Sequence, residues 1–520
     1  MIKSIRIQNL RSIKDSTNIV LRPIVILLGA NSSGKSTFLR SFPLFTQSVN
    51  KRLREPIAWF DNSLVDFGDY KTAKNKYVDE EEGISFSFDF SFSNPPFLHF
   101  QYLYRGIDTI SYEELSSGNL YFELKGDHRG TYIRKIKIRT VNSVFRLEVD
   151  DRNAEVHYYI NDAKIEFSEK LYFNYNTEFS ILPTLYYRQT AGDPINISTY
   201  FANKLSDILK KFCDARLQKV QRFEKIFNYA RLDKHGLLKV MKESSGISSL
   251  QKNINNWTVK TLEFEQIYGY FTLMKMNFIV NVINRDLALF YHQCDYIAPM
   301  RAEATRFYRI QGLQVNSIDS NGHNLLEFVA SLTPKEKNNY DEFVESILGV
   351  TVDVPSESGM KNLRLKTKNG DFSIMDVGYG YSQILPVITK LWHTTFIKQN
   401  IGTRSRLSYR DLEKSILLME QPELHLHPAM QAKVADTLIK TIDSVERKED
   451  CPKLIVETHS QAMINRLGRR IREGKISTTD VSVLLFSKDN DNRNTVIKQI
   501  EFTEKGQLKD WPYGFFDPED

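Results

Sequence analysis

Gly29-Ala-Asn-Ser-Ser-Gly-Lys-Ser-Thr37 fits the spacing G-x-x-x-x-G-K-[ST], and both flanks agree with it. Upstream, Pro23-Ile-Val-Ile-Leu-Leu28 is a short apolar run that predicts a buried strand, and downstream Thr37-Phe-Leu-Arg-Ser-Phe42 predicts a helix. A strand, a glycine-punctuated turn and a helix N-terminus are the setting in which backbone N–H groups cradle phosphates. Gly29 and Gly34 admit turn geometry that a Cβ obstructs. The N–H groups from Ser33 to Ser36 are then free for phosphate oxygens, with the helix dipole behind them. In such a loop Lys35 reaches the β- and γ-phosphates of ATP and the Ser36 hydroxyl binds Mg²⁺, while Asn31, Ser32 and Thr37 complete the nucleotide contacts.

The chain has 520 residues, 41% apolar and 26% charged, the composition of an ordinary globular protein with room for more than one subdomain. No apolar run has the length of a membrane span. Met1-Ile-Lys-Ser-Ile-Arg-Ile7 alternates like a strand and lacks a signal peptide's apolar region. Three scattered cysteines, Cys213, Cys294 and Cys451, suit a reducing compartment and argue against a disulfide framework or a zinc site. The expectation is a cytoplasmic protein with no membrane partner. A net charge of +6 permits nucleic-acid contact without requiring it.

Alternating runs from Ile84-Ser-Phe-Ser-Phe-Asp-Phe-Ser-Phe92 to Val156-His-Tyr-Tyr-Ile160 predict an antiparallel sheet, with turns at Asp150-Asp151 and Asn161-Asp162. Residues 198–292 read as helical, with Leu205, Ile208, Leu209 and Phe212 on one face and a loop at 243–249. An α/β texture returns near residue 412. Strands are predicted at 415–419, 453–456, 481–486 and 495–500, with a helix from Pro428 to Val445. The resulting domain plan has an N-terminal part of the ATP-binding head over 1–80, a β subdomain over 81–175, a helical insertion over 176–295 and the rest of the head over 296–520.

A second nucleotide-site cluster lies beyond residue 375. Ile416-Leu-Leu-Met-Glu-Gln-Pro-Glu423 is an apolar strand ending in carboxylates, expected beside the phosphate-loop strand, with Glu420 as the Mg²⁺-side acid. Lys453-Leu-Ile-Val-Glu-Thr-His-Ser460 carries His459 at its C-terminal end, where ligands bind in open α/β sheets; Glu457 has the same placement and a weaker claim. Asp376-Val-Gly-Tyr-Gly-Tyr-Ser-Gln-Ile-Leu-Pro386 is a glycine-rich turn entering a helix, with Ser382 either its N-cap or a phosphate ligand.

Together, the phosphate loop, the Val377–Gln383 turn, Glu420-Gln-Pro-Glu-Leu-His-Leu-His-Pro428 and Glu457-Thr-His-Ser460 resemble the ATP-binding-cassette ATPases of the SMC, RecF and OLD type. Within them, the chain is similar to the OLD-like AAA ATPases of bacterial defence loci, of Septu or retron association. Asn9-Leu-Arg-Ser12, Tyr296-Ile-Ala-Pro-Met-Arg-Ala302 with Arg306 and Tyr308, and Trp511-Pro-Tyr-Gly-Phe-Phe-Asp517 add to the likeness, which covers 1–70 and 290–520. It implies an α/β head with a mixed sheet, and a homodimer that sandwiches ATP. Gly378, Gly380, Ser382 and Gln383 would then meet the γ-phosphate of the other copy, with His427 at the place of an acid in a neighbouring loop and His459 as the switch histidine. The resemblance also places Arg11 and Ser12 near the nucleotide and Gln47 as a Mg²⁺ or water ligand.

One departure matters chemically. The usual acid pair after the strand is Glu420-Gln421 here. Glutamine orients a water but takes no proton from it. Either Glu423 supplies the base or ATP acts mainly as a clamp; slow turnover is expected. No cluster of acids after residue 460 marks a nuclease domain, so the resemblance points to a partner effector: an HNH-type nuclease, a toxin or a retron reverse transcriptase. Basic stretches at 204–225, at Lys135, Lys137 and Arg139, and at Arg466, Arg469, Arg470 and Arg472 leave DNA contact open. Three functions compete: a nucleotide-gated defence ATPase, a RecF-like DNA-repair clamp and, weakest, a transporter ATPase.

Overall fold

The phosphate-loop strand, Ile24–Gly29, is buried at every position, as a strand covered on both faces must be. In the computed structural model it lies inside a six-stranded sheet. The structure describes residues 2–91, 116–166, 169–175, 180–187, 195–214, 232–292, 294–301, 308–309, 315, 317–357, 360–401, 416–443 and 451–509. Across the sheet the order is Cys294–Ile297, Ile416–Glu420, Lys453–Glu457, Ile24–Gly29, Val481–Lys488 and Thr495–Ile500. The first five strands are parallel and the last is antiparallel, so the sheet is mixed and the fold class is α/β. The Glu420 strand was expected beside the phosphate-loop strand. The Glu457 strand lies between them instead, pairing with both. Apolar periodicity cannot supply that order, because both strands are equally buried.

The chain divides into two compact units that interleave in sequence. One comprises 11–46, 61–66 and 290–520 and holds the six-stranded sheet; the other comprises 1–10, 47–60 and 67–289. In the first, Ile26, Leu28, Met419, Val456 and Val483 form a continuous core with Leu385, Ile388 and Trp392 of the helix Tyr379–Ile401 and with Val434 and Leu438 of the helix Pro428–Asp443. Pro428 opens its helix, where a missing N–H costs nothing. The helix Gln461–Arg472 carries Gly468, and a Cβ there would meet the Gly506 carbonyl oxygen at 2.2 Å, so helix and C-terminal turn touch backbone to backbone.

In the second unit Ile2–Leu10 pairs antiparallel with Ile84–Ser91, and the sheet continues through Ser117–Asp127, Gly130–Arg139, Val144–Glu148, His157–Ile160 and Ala163–Ile165. Its first strand therefore belongs to the antiparallel sheet and not to the nucleotide-binding sheet. Strands at Thr184–Tyr187 and Ile195–Asn196 lie inside the 176–295 insertion, just before the stretch from 198 expected to be helical, consistent with the β-prone run Thr-Leu-Tyr-Tyr. Helices follow at Ile197–Lys210 and Leu262–His292. The 243–249 loop is shorter than expected, because a π turn reaches Ser244 and a helix starts at Ser248. Among the described residues no helix is long and apolar enough to cross a membrane.

In two basic stretches part of the charge is paired within the fold. Arg466 and Arg470 bind Asp436 at 2.6 and 2.7 Å, and Arg469 and Arg470 bind Glu473 at 2.7 Å. Lys135 pairs with Glu148 at 2.7 Å. Arg216, Lys219, Arg222 and Lys225 lie outside the described residues, as do Ala302, Arg306 and the 511–517 ending.

Candidate functional site

The loop after Ile24–Gly29 turns at two glycines for separate reasons. A Cβ on Gly29 would stand 2.3 Å from the Phe486 carbonyl oxygen of the adjacent strand. Gly34 has φ +104°, and a Cβ there would meet Thr495 Oγ1 at 2.4 Å. Thr495 fits so closely because it braces the loop: its hydroxyl donates to the Ser33 carbonyl at 2.7 Å and lies 2.8 Å from Ser12 Oγ. The helix Lys35–Val49 follows, with Phe38 N–H bonded to the Gly34 carbonyl at 3.1 Å. The N–H groups of Lys35, Ser36 and Thr37 precede that bond and have no intrahelical acceptor.

A cavity of about 240 Å³ opens here, lined by Asn31 to Thr37 together with Ser12, Gln421, Glu457 and His459. Lys35 is 3% exposed, and its ammonium donates to the Gly29 and Ala30 carbonyls at 2.9 and 2.8 Å. Burial lowers its pKa, against the pull of Glu457. Ser36 Oγ donates to Glu457 Oε1 at 3.0 Å. Glu457 Oε2 and Ser33 Oγ are buried with no hydrogen-bond partner among the described residues. Burial and the neighbouring Glu420 push the Glu457 carboxyl up to about 7. Burial, then Lys35, hold the His459 imidazole below its ordinary value, which favours the neutral ring at neutral pH.

Residues 1–464 match the family model described as AAA ATPase domain. The chain belongs to the AAA ATPase domain family. Residues 476–520 match a second model, Protein of unknown function (DUF3696). No curated protein matches in sequence. Among solved structures, this AAA ATPase domain chain is similar to the SMC head bound to the C-winged helix domain of ScpA (10% identity, 96% of this chain, 98% of that one, TM-score 0.33). It is likewise similar to the SMC head domain from Thermotoga maritima (9% identity, 96% and 98%, TM-score 0.34).

Glu420 is in register with Glu457 on the neighbouring strand, but its carboxylate is occupied. Arg40 grips it through Nε and Nη2 at 2.7 and 2.8 Å, and Tyr296 OH donates to it at 2.8 Å. The Glu420 hydrogen bond raises the Arg40 pKa, and burial followed by Glu420 raises that of Tyr296. Glu420→Ala should therefore cost stability first. Removing one partner of a buried pair costs about 3–5 kcal/mol, and the lower end is expected because Arg40 is about one-third exposed. The urea midpoint of the variant checks this.

The other predicted residues separate into groups. Gln421, with φ +45°, lines the cavity. Glu423 lines a wider cavity of about 670 Å³ that shares Asn31, Gln421 and His459 with the first. One Glu423 oxygen accepts His459 N–H at 2.7 Å, and burial raises its pKa. Gly378, Gly380, Ser382 and Gln383 do not line either cavity. Gly378 has φ +91°, and the helix begins at Tyr379, so Ser382 lies inside its first turn and bonds back to the Tyr379 carbonyl instead of capping it. Gln383 is buried. His427 is exposed, with Nδ1 accepting Ala429 N–H. Arg11 donates to the Asp66 carbonyl at 2.9 Å. Gln47 lies outside the cavity-bearing unit, 1% exposed, with its amide on the Ala58 carbonyl. Sequence reading passed over Thr495 and Arg40. Thr495 opens a predicted strand and Arg40 sits one turn beyond the loop, and neither position carries a motif.

Proposed function

We propose that the chain binds Mg²⁺–ATP in the cavity framed by Asn31–Thr37, Gln421, Glu457 and His459, and hydrolyses it slowly. One observation carries the reading: three stretches distant in sequence meet at that cavity. Ser36 Oγ and the unpartnered edge of Glu457 form an oxygen donor set suited to a hard divalent cation. A bound Mg²⁺ supplies neutralisation of the charge that develops on the transferring phosphoryl group. Lys35, parked on loop carbonyls, is the cation for the β- and γ-phosphates. The neutral His459 ring offers a hydrogen bond to the γ-phosphate. Gln421 orients the attacking water and Glu423 takes its proton. Glu423 lines the adjacent cavity and not this one, so part of the ~10²–10⁴-fold that a well-placed general base is worth is forgone and turnover is slow.

The glycine-rich turn at 378–383 lines neither cavity, and Gly378 is exposed. That supports an ATP-sandwich homodimer in which the turn of one copy closes the cavity of the other, with His427 at the same contact. The motif resemblance extends this to a sensor or regulator of an effector nuclease, toxin or reverse transcriptase in antiphage defence.

A RecF-like DNA clamp is the second reading. It is favoured by the row Tyr121, Lys137, Arg146 and Tyr159, which are direct partners across four strands, with Arg146 3.9 Å above the Tyr159 ring. Two cations flanked by two aromatic residues in one cross-strand row suit phosphate contact and base stacking.

The test is purification together with the products of adjacent genes, with and without Mg²⁺–ATP, followed by light scattering. The defence reading expects an ATP-dependent dimer, reversed by EDTA, that carries a partner protein. A monomer that binds DNA in a steeply salt-dependent way would replace it with the second reading.

A further inference from the structure

Arg301 lies beyond the end of the strand Cys294–Ile297, which runs parallel to the Glu420 strand in the register Ile297 to Met419. Both chains thus leave the sheet at the same edge. Arg301 is only 6% exposed. Its Nη2 donates to the Gln421 carbonyl at 3.1 Å, the same oxygen that accepts Leu424 N–H at 3.1 Å. Gln421 is held there in a left-handed conformation, with its own N–H on the Glu457 carbonyl at 2.8 Å. A glutamine stays in that region only when its surroundings enforce it.

The rest of the guanidinium is unsatisfied. Arg301 Nε and Nη1 are buried with no hydrogen-bond partner among the described residues. So is Glu423 Oε2, the oxygen that His459 N–H does not hold. Each group feels the other's charge. A buried cation with two idle donors and a buried carboxylate with one idle acceptor lie within range of each other's charge without an ion pair joining them, and leaving both open is costly.

We infer that Arg301 is a positioning residue for ATP hydrolysis: it fixes the Gln421 turn and draws Glu423 into place as the proton acceptor. The inference rests on the proposed ATPase reading. In the step concerned, the water oxygen bonds to the γ-phosphorus and the P–O bond to ADP breaks. The water proton passes to the Glu423 carboxylate and from there to the released phosphate. Arg301 touches neither water nor nucleotide; it acts through the two groups that do.

A double-mutant cycle on the full chain tests this, using steady-state turnover and fluorescent-ATP binding. Arg301→Met should lower kcat about 10–100-fold with ATP affinity within about threefold of wild type, and Arg301→Lys should recover part of the loss. In a Glu423→Gln background, Arg301→Met should change kcat by less than about threefold, because the group it acts through is gone. If Arg301→Met does not fold, Arg301→Lys in both backgrounds supplies the same cycle. Full, independent losses in the two backgrounds would overturn the inference, as would weakened ATP binding with kcat intact. A wild type no faster than Lys35→Ala would overturn the ATPase reading and this inference with it. A wild type that turns over while Arg301→Met equals it would overturn this inference alone.

Discussion

Lys35→Ala should lower ATP affinity at least about 100-fold, roughly 3 kcal/mol, the scale of charge-assisted hydrogen bonds to phosphate. The ammonium is buried and already oriented by the Gly29 and Ala30 carbonyls, so the loop delivers it with little reorganisation. Alanine leaves both carbonyls without that donor and the cavity without its cation. Stability should change little, by about 1 kcal/mol, because the lost hydrogen bonds are offset by the removed cost of burying a charge. Fluorescent-ATP titration alongside a melting curve separates the two effects. Equal affinity in variant and wild type would remove this loop from nucleotide binding.

Glu457→Gln should abolish Mg²⁺-dependent turnover, with a loss of about 10²-fold or more, and should stabilise the metal-free protein at high pH. The two effects share a cause. Folding raises the Glu457 pKa from 4.5 to about 7 through burial and the Glu420 charge. A carboxyl raised in this way favours the fold below its unfolded pKa and loses that contribution as pH climbs through the folded one. Metal-free wild type should therefore lose stability between about pH 4.5 and 7, by about 3 kcal/mol at most. The glutamine variant should lack that component. Mg²⁺ must displace the same proton, so wild-type Mg²⁺ affinity should fall as pH drops below about 7. Denaturant midpoints at pH 5 and 8 and Mg²⁺ titrations across that range measure both.

Much of this was legible in the chain, and the gaps have physical reasons. The loop from Gly29 to Thr37 is local in sequence, and its strand–turn–helix context follows from adjacent residues. The strands ending in Glu420 and Glu457 were also legible, since short apolar runs with terminal acids mark the working edge of an α/β sheet. Which acid faces Ser36 was not. That depends on strand order, a long-range property, and on Arg40, whose grip on Glu420 no spacing rule announces. The first strand misled for a related reason: Ile2–Leu10 alternates like any half-buried strand, and its antiparallel partner lies more than seventy residues away. The helix Pro334–Leu348 carries equally local signals: Thr333 and Glu336 form a capping box, Pro334 stands at its start, and Gly349 ends it with φ +74°.

The most direct measurement is a crystal structure with Mn²⁺ in place of Mg²⁺ and a non-hydrolysable ATP analogue. An anomalous peak is expected ~2.1 Å from Ser36 Oγ, facing Glu457, with phosphates over Lys35 and Glu420 still in the grip of Arg40. A metal bound by Glu420 with Arg40 displaced, or a nucleotide seated away from the Asn31–Thr37 loop, would contradict it.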